Sequence, residues 1–371
     1  MTNSHTNSNG SAGVVAVTRA VPGAVEAPGA TVKVRASDQL SRGALLEFIR
    51  GASVVVTMFS DKVDAEFLNA AGPTLRGVCN FAVGFDNIDL AECTKRGVIV
   101  TNTPHAVTEG TADLAWTLIL ASARRLIEAD RFARGAEYAA RGPLGITEFL
   151  GRDLTGRNLL IVGAGRIGYG VALRSIGWGM RIGYVARSRH VDFELAPLAA
   201  TRMELDEGLG WADVVSVHTP LTPQTRHLID ARAISLMKST AIIVNTARGP
   251  VIDEAALGRA LMERRIWGAG LDVFEDEPRV HPSIVESERA VLTPHIGSAE
   301  EKYRLLMTEM VSESCWQSAA SSRARMRGRS WRGRSRRTGL RERRGGFTRS
   351  MAPVACDESA SACQNEKHRP G

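Results

Sequence analysis

Cysteine is scarce: five in 371 residues, at positions 79, 93, 315, 356 and 363. None stands in a CxxC or Cys/His spacing, so no metal is predicted, and the body's pair, Cys79 and Cys93, is too sparse for a disulfide framework. That usage suits a reducing cytoplasm. Aromatic residues are also few, with six Trp, four Tyr and ten Phe, which leaves the core to aliphatic side chains. No apolar run approaches membrane-spanning length. The opening "MTNSHTNSNGSAG" is polar and lacks an apolar stretch, so no secretion signal is predicted. Acid is scarce in the last part of the chain, with four acids from Cys315 onward. The net charge is +7, but residues from Cys315 onward carry +10, which leaves −3 for the rest. The basic balance therefore says nothing about the partners of the body.

Glycine is plentiful, at 36, as tight strand-to-helix turns require. The length and the 44% apolar content suffice for two domains with real cores. Short apolar strands alternate with helical stretches. Strands are predicted at 14–19, 30–35, 52–58, 97–102, 159–165, 181–186, 213–219, 241–246, 268–274 and 290–295. Between them, "DEAALGRALMERR" has helical spacing and a cap at Asp253. This alternation predicts an α/β protein with two doubly wound parallel sheets. A long helical run from about Thr108 to Glu137 separates the two strand sets, and Trp116 is assigned to its buried face.

"LLIVGAGRIGYGVA" reads as strand, glycine turn and helix. Gly163 allows the turn, Gly165 lets a pyrophosphate approach the backbone, and Gly168 lets the helix pack on the strand. Arg166 and Ile167 open the helix, whose free N–H groups and dipole favour phosphate. Roughly twenty residues on, a site for NAD places an acid on the ribose hydroxyl. Here "YVARSRH" puts Ala186 at that point, followed by Arg187, Ser188 and Arg189. The two arginines and the serine suit a 2′-phosphate, so NADPH is predicted. A solvated basic turn that tolerates NADH as well is the rival reading. Asp192 is the nearest acid in sequence.

Three later strands end in reactive residues: Arg248 in "VNTARG", the acids Glu275, Asp276 and Glu277 before Pro278, and His295 in "TPHIGSA". Carboxyl ends of strands are where doubly wound sheets bind ligands. His218 follows another strand and is predicted to line the cofactor cleft without acid/base work. Thr246, Ala247 and Thr111 join the cofactor-binding set. His105 is read as structural, and His190, His227 and His281 are further alternatives to His295.

From about Val14 to Ser312 the chain resembles the D-isomer-specific 2-hydroxyacid dehydrogenases, most of all their glyoxylate/hydroxypyruvate reductase branch. The landmarks are "SDKVDAEFLNAAG", "FAVGFDNIDL", "VTNTPHAVTEGTADLAW", "VGAGRIG", "HTPLTPQTRHLI", "MKSTAIIVNTARG", "GAGLDVFEDEP" and "TPHIGSA". The resemblance implies that Arg248 binds substrate, that Glu277 is the catalytic glutamate and that His295 is the acid/base. It implies that Asp272 holds the nicotinamide carboxamide and that the Val83 and Gly84 N–H groups hold the substrate carboxylate. It also places Met58 and Phe59 toward the substrate, where bulk favours small 2-oxoacids, and suggests a homodimer built on the helix from about Thr108. The chemistry agrees. Adding hydride to a ketone builds negative charge on oxygen, which an imidazolium stabilises and protonates. A carboxylate bonded to that imidazole favours its charged form, and the arginine's planar fork holds a carboxylate.

The implied activity is NADPH-dependent reduction of a small 2-oxoacid, glyoxylate or hydroxypyruvate, to the D-2-hydroxyacid. Alternatives are a reductase of another 2-oxoacid, such as 2-ketogluconate, and a non-catalytic dinucleotide sensor, which would need no proton donor. The predicted domains are 14–125, completed by 299–314, for substrate, and 126–298 for the dinucleotide. Residues 315–371 read as a disordered Arg/Ser-rich tail, resembling a GC-rich gene translated out of frame. A basic tail that binds nucleic acid or acidic lipid is the lesser reading.

Overall fold

A computed structural model describes residues 13–35 and 41–326. The first sheet holds β1 (Val14–Val17), β2 (Thr31–Val34), β3 (Val54–Thr57), β4 (Gly77–Asn80) and β5 (Ile99–Thr101). Their spatial order is β2-β1-β3-β4-β5, all parallel, with Val15 opposite Val54 and Val78 opposite Val100. The second sheet holds β6 (Asn158–Val162), β7 (Arg181–Val185), β8 (Thr201–Arg202), β9 (Val214–Val217), β10 (Ile242–Asn245), β11 (Gly268–Leu271) and β12 (Ala290–Leu292). Its order is β12-β11-β10-β9-β6-β7-β8, again all parallel. Both are doubly wound, as the alternation predicts. Helices cover both faces, which is why strands such as β3, β6, β9 and β10 are buried along their whole length.

Strand order reverses between β1 and β3 in the first sheet and between β6 and β9 in the second. Ligands bind outside the carboxyl ends of strands at such reversals. Phe59 follows β3, the glycine turn follows β6, and His218 follows β9. Side chains cap the helices that carry the chain back, Asp64 accepting from Phe67 N, Asp230 from Ala233 N and Asp253 from Ala256 N.

Several boundaries depart from the sequence reading. β4 and β8 are absent from the predicted strands; "GVCN" is four residues with no alternation, and β8 is two. The predicted helical run breaks into Thr108–Ala123, Leu126–Arg134 and Ala136–Arg141, with Arg125 left-handed at φ 52° and an extended Gly135 at the joints. Thr108–Ala123 packs on the second sheet, where Ala112, Ala115, Leu118 and Ile119 join Leu159, Ile161 and Val244. Trp116 is buried there, its Nε1 donating to Val171 O at 2.8 Å. The passage between domains therefore precedes Thr108 rather than following residue 125.

The last described helix, Glu301–Met326, returns to the first sheet. Met307, Met310, Val311 and Cys315 are buried there with Val54, Val56 and Cys79. Ser318 lies so close to β4 that a Cβ on Gly77 would stand 2.8 Å from its Oγ. The completion of the first domain thus runs past 314, correcting a tail that begins at 315. Residues 327–371, where the rest of that tail falls, lie outside the described residues. Among the described residues no helix is long and apolar enough to cross a membrane, and no cluster of side chains gathers as metal ligands would.

Candidate active site

The glycine turn comes first. Gly163 has φ +107°, and a Cβ there would stand 2.7 Å from the His218 carbonyl carbon. A Cβ on Gly168 would stand 2.4 Å from Gly163 O, so the helix Arg166–Ser175 can approach β6 only with glycine at that point. A Cβ on Gly165 would meet nothing within 4 Å, because that position faces open space. The first bond of the helix runs from Tyr169 N to Gly165 O, and the N–H groups of Arg166, Ile167 and Gly168 at its positive end donate to nothing among the described residues. The open cradle and the free donors fit a dinucleotide pyrophosphate.

At the end of β7, Arg187, Ser188 and Arg189 are all exposed. Arg189 is already engaged, its Nε 2.5 Å from Glu194 Oε2. The other oxygen of Glu194 accepts from the Tyr184 hydroxyl at 2.7 Å, and these two bonds hold the carboxyl below its ordinary range. Glu194 is thus the acid that folding brings to the strand end, rather than Asp192. Arg202 on β8, absent from the sequence reading, donates to the carbonyls of Ala186 at 3.0 Å and Arg187 at 3.3 Å.

His218 borders the glycine turn. Its Nε2 meets Ser216 Oγ at 2.7 Å, its Nδ1 is 3.5 Å from Thr246 Oγ1, and burial pushes its pKa down to about 3. Burial thus favours its neutral form. Asn245 ties the next turn, accepting from Ala247 N and donating to Arg248 O.

Arg248 reaches across the cleft. Its Nε donates to Asp86 at 2.8 Å and its Nη1 to Ala247 O at 2.7 Å. Its Nη2 lies over Gly84, 1.7 Å from where a Cβ would be. The 82–87 loop beneath is set by asparagines that the sequence reading passed over. Asn80 donates to Gly84 O and Asn102 to Val83 O, both at 2.8 Å, while Asn87 holds the carbonyls of Met58 and Asp61. With their carbonyls tied back, the N–H groups of Val83 and Gly84 donate to nothing among the described residues.

His295 Nδ1 and Glu277 Oε2 are 2.9 Å apart. Burial raises the Glu277 carboxyl, but the bond and charge of His295, the Phe274 N–H and nearby Arg248 outweigh it and leave the carboxyl below its ordinary range. His295 sits at φ 55°, and its own N–H donates to Asp272 O. The buried Asp272 carboxylate accepts from Thr293 Oγ1, Ile296 N and Gly297 N. Thr111 Oγ1 adds a bond to Gly297 O at 3.1 Å. Asp272 and Thr111 therefore anchor the turn that presents His295. Burial pushes the Asp272 carboxyl up despite those donors. From the first domain, Phe59 places its ring 4.2 Å from that of His295. Met58 is buried in the core of the first domain with Val56 and Phe81. Glu275 turns instead to His227 at 3.0 Å and Glu254 N at 2.9 Å, and Asp276 to Arg279.

Residues 116–297 match the model of the D-isomer specific 2-hydroxyacid dehydrogenase NAD-binding domain. The glyoxylate reductase of Thermococcus onnurineus (strain NA1) is 50% identical over 280 residues, 74% of this chain and 82% of that one. The chain belongs to the D-isomer specific 2-hydroxyacid dehydrogenase family. It is an oxidoreductase with a nicotinamide dinucleotide site. Solved structures agree. A glyoxylate reductase from Paecilomyes thermophila matches with a TM-score of 0.72 and 29% identity, covering 84% of this chain and 96% of that one. An NADPH-dependent glyoxylate/hydroxypyruvate reductase from Sinorhizobium meliloti, in complex with NADP and malonate, matches with a TM-score of 0.70 and 28% identity over 83% and 94%.

Proposed function

We propose that this dehydrogenase reduces a small 2-oxoacid, glyoxylate or hydroxypyruvate, to the 2-hydroxyacid (the D isomer where the product is chiral), with NADPH preferred over NADH. The observation that carries the reading is the His295–Glu277 pair, 2.9 Å apart, facing Arg248 and the free N–H groups of Val83 and Gly84. The substrate carboxylate binds to those N–H groups and to Arg248. When bound, a reduced nicotinamide would supply the hydride that the carbonyl carbon accepts. As the carbonyl oxygen gains charge, His295 donates it a hydrogen bond and then the proton from Nε2, while Glu277 holds Nδ1. A dinucleotide sensor would need no such pair. Phe59 puts a bulky ring against His295, which supports short glyoxylate-type acids over 2-ketogluconate. The relatives named above point the same way.

NADPH is supported by Arg187 and Ser188, both exposed, and by the neutral Ala186 where an acid would oppose a phosphate. Three described thiols are free, which suits a cytoplasmic setting. For a homodimer, Thr108–Ala123 offers little surface, because ten of its residues are buried within the chain. The arm beyond it exposes Leu126, Ile127, Leu144 and Ile146, and is the surface we assign to a second copy.

The deciding experiment compares kcat/KM for glyoxylate with each cofactor. A tenfold or greater preference for NADPH, about 1.4 kcal/mol, is the expected result. It should collapse in Arg187→Ala with Ser188→Ala. Preference for NADH would overturn the cofactor assignment alone, and no turnover by the folded protein with either cofactor would overturn the substrate.

A further inference from the structure

Arg248 has three nitrogens that can reach a ligand, and the protein fixes two of them. Nη1 is held by Ala247 O, within its own turn. Nε is held by the Asp86 carboxylate, which comes from the other domain, 162 positions away. Nη2 alone has no acceptor among the described residues, and it lies over Gly84, beside the free N–H groups of Val83 and Gly84. We propose that Asp86 is a positioning residue that locks the guanidinium from across the cleft, so that Nη2 points where the substrate carboxylate binds. The proposal rests on the 2-oxoacid reductase reading above.

Sequence position makes the arrangement possible. Asp86 stands three residues after Val83, in the loop whose carbonyls Asn80 and Asn102 hold back. That loop supplies both the substrate donors and the lock. An Asp86 Oδ1 atom would lie 2.9 Å from a Cβ on Gly84, so carboxylate, glycine and guanidinium are stacked in one place. The ion pair is mostly shielded, with side-chain exposures of 33% for Asp86 and 21% for Arg248, which limits competition from water. A free arginine side chain has many rotamers, and fixing it before substrate arrives lowers the entropic cost of binding. Asp86 also sets a negative charge near an anionic substrate. The hydrogen bond and the charge therefore pull in opposite directions, and variants can separate them.

The test uses the full chain with NADPH and glyoxylate. Wild-type turnover comes first, since its absence would count against the reductase reading and not against Asp86. In Asp86→Ala, kcat/KM is expected to fall at least tenfold, mainly through KM, with the NADPH Kd by fluorescence unchanged. In Asp86→Asn, the amide oxygen still accepts from Nε and the repelling charge is gone, so kcat/KM should stay within threefold of wild type. In an Arg248→Lys background, Asp86→Ala should cost less than twofold, because the lock has nothing left to position. Full activity in Asp86→Ala, an equal loss in Asp86→Asn, or an equal cost in both backgrounds would each overturn the proposal.

Discussion

At the scale of the residue, the proton donor and its carboxylate make separable claims. His295→Gln should lower kcat by about 10²–10⁴, with NADPH affinity unchanged, as measured by steady-state kinetics and fluorescence titration. Glu277→Gln should keep the fold and lower kcat, and its effect on stability should depend on pH. The Glu277 carboxyl is held below its ordinary value of 4.5, so its ionised form stabilises the folded chain. That contribution is fully present above pH 4.5 and is lost as pH falls through the lower, folded value. The gap in Tm between wild type and Glu277→Gln should narrow as pH falls below 4.5. A gap independent of pH would show that the carboxyl is not depressed. Arg248, Glu277 and His295 were legible because each closes a recognisable segment at a strand end. Asp86, Glu194 and Arg202 were not. Each acts through a contact that only folding creates, Asp86 with a residue 162 positions away.

At the scale of the element, the glycine turn separates binding from packing. Gly168→Ala would force a methyl to within 2.4 Å of Gly163 O, so the helix must move off β6. Overpacking of this kind costs about 1–3 kcal/mol, and thermal melts should show it. Gly165→Ala meets no protein atom within 4 Å, so Tm should hold. The NADPH Kd should nonetheless rise tenfold or more, because the methyl fills the space beside the free N–H groups. If Gly165→Ala bound NADPH normally, the pyrophosphate would have to sit elsewhere. The strand–turn–helix pattern was readable because its periodicity changes from apolar run to helix at the glycines. β4 was not readable, although it carries the substrate loop. "GVCN" is short, and its glycine is there for Ser318 of a helix more than two hundred residues later. The break at Arg125 was equally silent, since nothing in "SARRLIE" marks a left-handed residue.

At the scale of the whole molecule, two sheets each bury a core, and the site exists only where they face each other. Phe59, Val83, Gly84 and Asp86 stand on the first domain, and Arg248, Glu277, His295 and the glycine turn on the second. The first domain is closed by Glu301–Met326, whose Met307 is 2% exposed against β1 and β3 residues. The sequence reading ended the fold near 314 because arginine and serine take over the composition. Packing carries the helix further, with Cys315 buried and its Sγ 3.7 Å from that of Cys79. Met307→Ala should therefore destabilise one domain and not the other. A buried Met to Ala change costs about 2–5 kcal/mol, and the dinucleotide site belongs to a separate core. As urea rises, the variant should lose glyoxylate turnover well before it loses NADPH binding, with the two transitions further apart than in wild type. Transitions that shift together would mean that the two domains unfold as one unit, and that the cross-cleft pairs of Asp86 with Arg248 and Phe59 with His295 couple them more strongly than two separate cores require.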